Sequence, residues 1–191
     1  MKMRDPFKLV DKIDEMKIRV REDFPKLIEL YRDPFGVVVG SGDGRFSEHL
    51  LSVTGENLTL FSVNRWSENI EEHKLAKARL ARFGDRSRLV DSSGSDAAGL
   101  FQDGFFDFVY LDGAQSYDDV KGSIAAWWPK AKDGAIFAGH DYAAKRRHDD
   151  VARAVGEHVR ANRQELFLTH EEGASEAEKV RSFYLFKNMV P

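Results

Sequence analysis

The chain contains no cysteine. Disulfides, thiolate zinc centres and cysteine nucleophiles are therefore excluded together. Proline is scarce, five in 191 residues, and neither a linker nor an internal repeat divides the sequence. No apolar run is long enough to span a bilayer. The opening Met1-Lys2-Met3-Arg4-Asp5-Pro6 is charged and lacks the apolar core of a signal peptide. These absences lead us to expect a cytoplasmic protein with no membrane partner. The formal net charge of -3 gives no general reason to expect nucleic acid as a partner either. What remains is a chain of 42% hydrophobic residues, enough for one domain with a substantial core.

The most informative stretch is Phe106-Asp107-Phe108-Val109-Tyr110-Leu111-Asp112-Gly113, running on through Gln115 to Tyr117. A second comes after one amphipathic segment, Ala135-Ile136-Phe137-Ala138-Gly139-His140-Asp141-Tyr142. Each is a short apolar run that ends in acid, glycine and aromatic residues. Such runs, flanked by helical patterns, read as strands buried on both faces of a parallel sheet. The polar ends then fall at the carboxyl edge, where open α/β sheets bind ligands. Asp112 and Asp141 are expected to share one rim.

Along the chain, residues 7–32 carry apolar positions at helical spacing and read as two short helices outside the sheet, with Pro25 near a helix start. Val37–Val39 reads as a strand entering the glycine-rich turn Gly40-Ser41-Gly42-Asp43-Gly44, then a helix through Leu51. Glycines at this spacing let the backbone turn tightly and approach a ligand at a helix N-terminus. The spacing is neither the dinucleotide fingerprint nor a phosphate loop. Alone, it is also what an ordinary strand-to-helix turn looks like.

A second strand, 58–63, ends at Asn64-Arg65-Trp66, and a helix over 67–83 is capped by Ser67 and stopped at Gly84. Further strands are read over 88–93, 105–111 and 135–138. The helices after them cover 96–101, 116–128 and 149–160. Strands over 165–170 and 181–187 close the chain as an antiparallel pair, because the segment between them is too short for a crossover helix. The result is a doubly wound, Rossmann-like α/β fold. It has a seven-stranded, mostly parallel sheet and an antiparallel terminal pair. Residues 1–34 form a helical extension and 35–191 the α/β core of a single domain.

This order of elements and these motifs resemble the class I S-adenosylmethionine-dependent methyltransferases, over residues from about 35 to 187. Within them the sequence is most similar to small-molecule O-methyltransferases of the macrocin O-methyltransferase-like kind. Those carry D-G-x-H-S-Y and G-H-D-Y elements after the fourth and fifth strands. Here they read Asp112-Gly113-Ala114-Gln115-Ser116-Tyr117 and Gly139-His140-Asp141-Tyr142, with Trp127-Trp128-Pro129-Lys130 between. The resemblance implies S-adenosylmethionine across the ends of the first three strands. Gly40, Ser41, Gly42 and Gly44 would meet its amino acid portion, Asn64 and Arg65 its ribose, and Ser93 its adenine, with Asp112 bordering it. It also implies a magnesium ion on Asp112 and Asp141, as in the cation-dependent relatives, and a small-molecule acceptor beside Gln115, Tyr117 and Tyr142.

Several positions depart from the family pattern. Val38 stands where an acid usually receives the cofactor's ammonium group, Asn64 where an acid usually holds the ribose, and Gln115 where a histidine is usual. Ser93 stands where an acid often precedes the adenine, unless the loop brings Asp91 there. Each missing carboxylate costs about 1–2 kcal/mol, a factor of about ten in affinity.

Among these residues His140 is the candidate general base, since a neutral imidazole accepts a proton near neutral pH. Asp112, Asp141 and a bound cation would align the acceptor. The plainer alternatives are that Asp112 caps the next helix, Asp141 forms a turn and His140 is a structural hydrogen-bonder. Trp127 and Trp128 read as core. Lys145–His148 is a basic run suited to an anionic acceptor or to solvent, and the remaining histidines have no ligand spacing. A homodimer is conceivable through the N-terminal helices or an exposed Phe183-Tyr184 strand. A different class of function also fits: a methyltransferase fold that has lost cofactor chemistry and serves as a binding or assembly module.

Overall fold

The computed structural model describes residues 16–142, 149–170 and 181–189. Seven strands form one mixed sheet: β1 (Phe35–Val39), β2 (Thr59–Asn64), β3 (Ser87–Asp91), β4 (Phe106–Leu111), β5 (Ala131–Tyr142), β6 (Phe167–Leu168) and β7 (Arg181–Phe186). Their order across the sheet is β3-β2-β1-β4-β5-β7-β6. The pairs from β3 through β5 are parallel, while β7 runs antiparallel to both β5 and β6. This is the expected doubly wound arrangement. Chain order reverses between β1 and β4, which leaves a crevice at their carboxyl ends.

The period of two along each strand sorts side chains to two faces. On one face Val38, Leu60, Phe108, Tyr110 and Tyr184 pack under α1 (Phe24–Ile28) and α2 (Arg45–Val53), joined by Leu80 of α3 (Ile70–Leu80). On the other, Val37, Val39, Val109 and Phe137 pack under α4 (Gly94–Ala98), α5 (Tyr117–Trp127) and α6 (Asp149–Ala161). Phe24, Leu27 and Ile28 are buried against one face of the sheet, so α1 lies outside the sheet, as expected, and completes the core. Pro25 sits in the first turn of α1, as expected.

Other boundaries moved for local reasons. The helix expected over 67–83 is α3 alone, because Trp66–Glu68 forms a separate 3-10 turn and Asn69, not Ser67, caps α3. The Asn69 side chain accepts from the Glu72 amide. Ser67 instead donates its backbone N–H to Asp91. The strand expected over 135–138 extends from Ala131 through the polar end to Tyr142, and the one expected over 165–170 is only two residues long. The Phe183-Tyr184 strand is not an exposed dimer surface: β7 lies between β5 and β6, with both rings buried. Trp127 is fully buried and donates to the Gly94 carbonyl, and Trp128 packs edge-on to Phe137. Lys145–His148 lies outside the described residues. Among the described residues no helix is long and apolar enough to cross a membrane.

Candidate active site

The glycine turn after β1 is held to its neighbours by backbone. Gly40 and Ser41 donate their N–H groups to the Val63 carbonyl, and Gly44 donates to Ser41. Gly40 has φ +85, and a Cβ there would stand 2.7 Å from Asp112 O and from Gly113 N and Cα. Only glycine brings the first turn this close to the loop after β4. Gly42 differs: its φ is +51, and nothing lies within 4 Å of where its Cβ would be. Its carbonyl accepts from the buried Trp66 indole at 2.8 Å, so the turn is anchored there while space stays open beside the Gly42 Cα. That open bend fits a ligand such as the cofactor expected from the sequence. Gly44 instead faces Ala76 and Leu80, where it lets α2 and α3 approach.

At the end of β2, Asn64 lies level with Asp91 of β3. Its amide reaches Glu72 Oε2 at 3.5 Å, so a carboxylate from α3 stands beside the position where the strand carries none. The Asp91 carboxylate is taken by the Ser67 amide. Arg65 points to solvent and pairs with Glu68 at 2.9 Å. Ser93 caps α4: its hydroxyl accepts from the Asp96 amide and donates to the Asp96 carboxylate. Val38 is buried in the core, so no carboxylate stands at that position.

The two rim acids do come together. Leu111 pairs with Gly139, so Asp112, just past β4, and His140-Asp141, near the end of β5, lie at the same edge of the sheet. Asp141 has φ +61, in the left-handed region, within an irregularity of the β5–β7 pairing. A residue there re-aims its side chain at a cost of about 1 kcal/mol, which aspartate tolerates better than most. The carboxyl of Asp112 is pushed up to about 7, chiefly by burial; Arg21 opposes the shift and Asp141 adds to it. Asp112 is not the helix cap, since Ser116 caps α5 by accepting from the Asp119 amide.

Each acid has a donor. Arg21 Nη1 lies 3.3 Å from Asp112 Oδ2, and Gln115 Nε2 lies 3.1 Å from Asp141 Oδ2. His140 Nδ1 lies 3.2 Å from Ser182 Oγ, which is 2.9 Å from the Tyr110 hydroxyl in the interior. Tyr142 is half-buried, its ring 6.2 Å from that of Phe183. Tyr117, expected in the acceptor pocket, lies between α5 and α6: its hydroxyl donates to Glu157 and accepts from Lys121, with the Arg153 guanidinium over its ring. Asp43 belongs to a helix start, bonded to the Arg45 amide and paired with Arg79.

Among the described residues no group of three or more histidine, cysteine, aspartate or glutamate side chains is placed to hold a metal ion. Two carboxylates can hold a magnesium ion that keeps its waters, but here each already meets a nitrogen donor, Arg21 on Asp112 and Gln115 on Asp141, and the permanent charge of Arg21 opposes a dication. Sequence reasoning missed Arg21 and Glu72. Neither lies in a motif; both reach the site from helical or turn segments by tertiary packing.

A sheet in this order, with a glycine bend after its first strand and acids at the ends of the fourth and fifth, defines a Rossmann-like methyltransferase fold. A profile of the methyltransferase domain matches residues 37–142, more than half of the sequence, and the chain belongs to that family. It is similar in structure to precorrin-6y C5,15-methyltransferase from Geobacter metallireducens, with TM-score 0.66, 17% identity, and coverage of 88% of this chain and 86% of that one. A putative caffeoyl-CoA O-methyltransferase from Staphylococcus aureus gives TM-score 0.66 at 12% identity, covering 94% and 90%. An S-adenosylmethionine-dependent O-methyltransferase from Thermotoga maritima gives 0.64 at 18%, covering 96% and 72%. At such identities the likeness is one of fold. A search of curated proteins finds no significant match.

Proposed function

We propose that the protein is an S-adenosylmethionine-dependent methyltransferase acting on a hydroxyl of a small molecule, nearest in kind to the macrocin O-methyltransferase-like enzymes. The observation that carries this reading is the meeting of Asp112 and Asp141 at one rim, directly beside the Gly40 bend. When bound, the cofactor supplies a methyl group on a sulfonium, open to in-line displacement by an oxygen. Gly40, Ser41 and Gly42 would line its amino acid portion, with Asn64 and Glu72 bonding the ribose hydroxyls and the Ser93 turn bordering the adenine.

On the acceptor side, His140 takes the hydroxyl proton. Ser182 meets its Nδ1 and fixes the direction of the ring. Gln115 orients the acceptor by hydrogen bonding but takes no proton, because an amide is not a base in this range. Tyr142 supplies an aromatic wall.

The test is transfer of labelled methyl from S-adenosylmethionine to a panel of hydroxyl-bearing sugars, phenols and polyketides. We expect an O-methyl product, and a loss of about 100-fold or more on His140→Ala. Labelling of nitrogen or carbon acceptors only, or an undiminished His140→Ala, would count against the reading. One observation favours a second reading, a binding module without catalysis: the buried Val38 offers the cofactor's ammonium no counter-charge.

A further inference from the structure

We propose that Arg21 takes the place of a divalent cation at the Asp112–Asp141 rim, so that acceptor chemistry there is metal-independent. This rests on reading the rim as the acceptor site.

Two carboxylates brought side by side repel unless one keeps its proton or a positive charge stands between or beside them. A metal ion is one solution, and the donor geometry points to another. Arg21 projects from the segment ahead of β1 and sets its guanidinium 3.3 Å from Asp112, with both side chains largely withdrawn from solvent. Gln115 meets Asp141 with an N–H group at 3.1 Å. A dication seated on both acids would have to displace the Gln115 contact and sit beside a permanent positive charge. His140, the other ligating side chain at this rim, turns Nδ1 to Ser182.

Arg21 is also fixed in place, as a built-in charge must be. Its segment is tied down on both sides: the Arg19 carbonyl accepts from the His170 amide at 2.7 Å, and the Glu22 carbonyl contacts His49 Nε2 at 2.9 Å. The Asp23 carboxylate accepts from the Arg19 and Val20 amides, and Ile18 is buried in the core. The guanidinium itself lies over the Phe46 ring, 5.1 Å from its centroid. A charge held this way costs little further ordering when the acceptor arrives.

The experiment uses Mn2+ as the probe, monitored by its electron paramagnetic resonance signal as free ion is titrated against the full chain. We expect no saturable site up to about 1 mM in the native protein. Arg21→Met should create one, bound at least about tenfold more tightly, which Asp141→Asn in the same background removes again. Arg21→Lys, which keeps the charge, should behave as the native protein. Circular dichroism melting of each variant identifies any that fail to fold; the native protein and the lysine variant test the proposal by themselves.

A native protein that binds one Mn2+ at low micromolar concentration and loses it on Asp141→Asn overturns the proposal. So does an Arg21→Met variant, folded, that binds no better than the native chain. S-adenosylmethionine binding is titrated on the same samples, so a failure of the methyltransferase reading registers separately from a failure of the charge substitution.

Discussion

Gly40 and Gly113 lie backbone against backbone: a Cβ on the first would stand 2.7 Å from the amide nitrogen of the second. Two loops distant in sequence are thereby closed on one another, one bearing the glycine bend and the other Asp112. Gly40→Ala must both adopt φ +85 and push the loops apart. We expect a loss of about 3 kcal/mol in stability by urea denaturation. Gly42→Ala has room for its methyl and should cost only about 1 kcal/mol, yet it should weaken S-adenosylmethionine binding. Equal stability losses in the two variants would contradict this assignment.

Glu72 offers a carboxylate where β2 ends in an amide. Glu72→Gln keeps the size and removes the charge, so cofactor affinity should fall by about tenfold, read by calorimetric titration. The half-exposed position predicts little change in melting temperature. An unchanged affinity removes Glu72 from the site.

The Asp112 carboxyl, raised to about 7, makes a signed prediction. Between about pH 4 and pH 7 the folded protein keeps this proton while the unfolded chain has released it. The folded state then binds more protons, so Asp112 contributes stability that is lost as pH rises through the window. Asp112→Asn does not titrate. Its stability relative to the native protein should therefore improve, by on the order of 2–4 kcal/mol, between about pH 4 and pH 8. Urea denaturation at both pH values checks this, and a flat difference would refute it.

Ser182 is buried and joins the Tyr110 hydroxyl to His140 Nδ1. Ser182→Ala removes the buried hydroxyl that bridges Tyr110 and His140 and should cost about 1–3 kcal/mol by urea denaturation. A neutral effect would mean that water replaces the hydroxyl.

The fold was legible because its strands are short apolar runs with abrupt polar ends, as at Leu111-Asp112 and Gly139-His140. The pairing of Asp112 with Asp141 came from the same logic. The contributions of Arg21 and Glu72 were not legible, since lone charged residues on a turn and a helix look like ordinary solvated positions. The contacts of Tyr117 were not legible for a related reason. It begins α5, and the direction of its ring is set by Glu157 and Arg153 on α6, a contact with no trace in local sequence. Phe183 and Tyr184 were expected to be exposed although their antiparallel partner strand was read, because which sheet neighbour covers the other edge of β7 is a tertiary contact, here with β5.

Calorimetric titration of the native chain with S-adenosylmethionine and with S-adenosylhomocysteine, each in the presence of chelator, tests the central claim most directly. The account predicts one site per chain for both, at about micromolar dissociation constants or tighter, weakened by Gly42→Ala. Absence of binding by both compounds would contradict it and leave the fold as a scaffold for some other role.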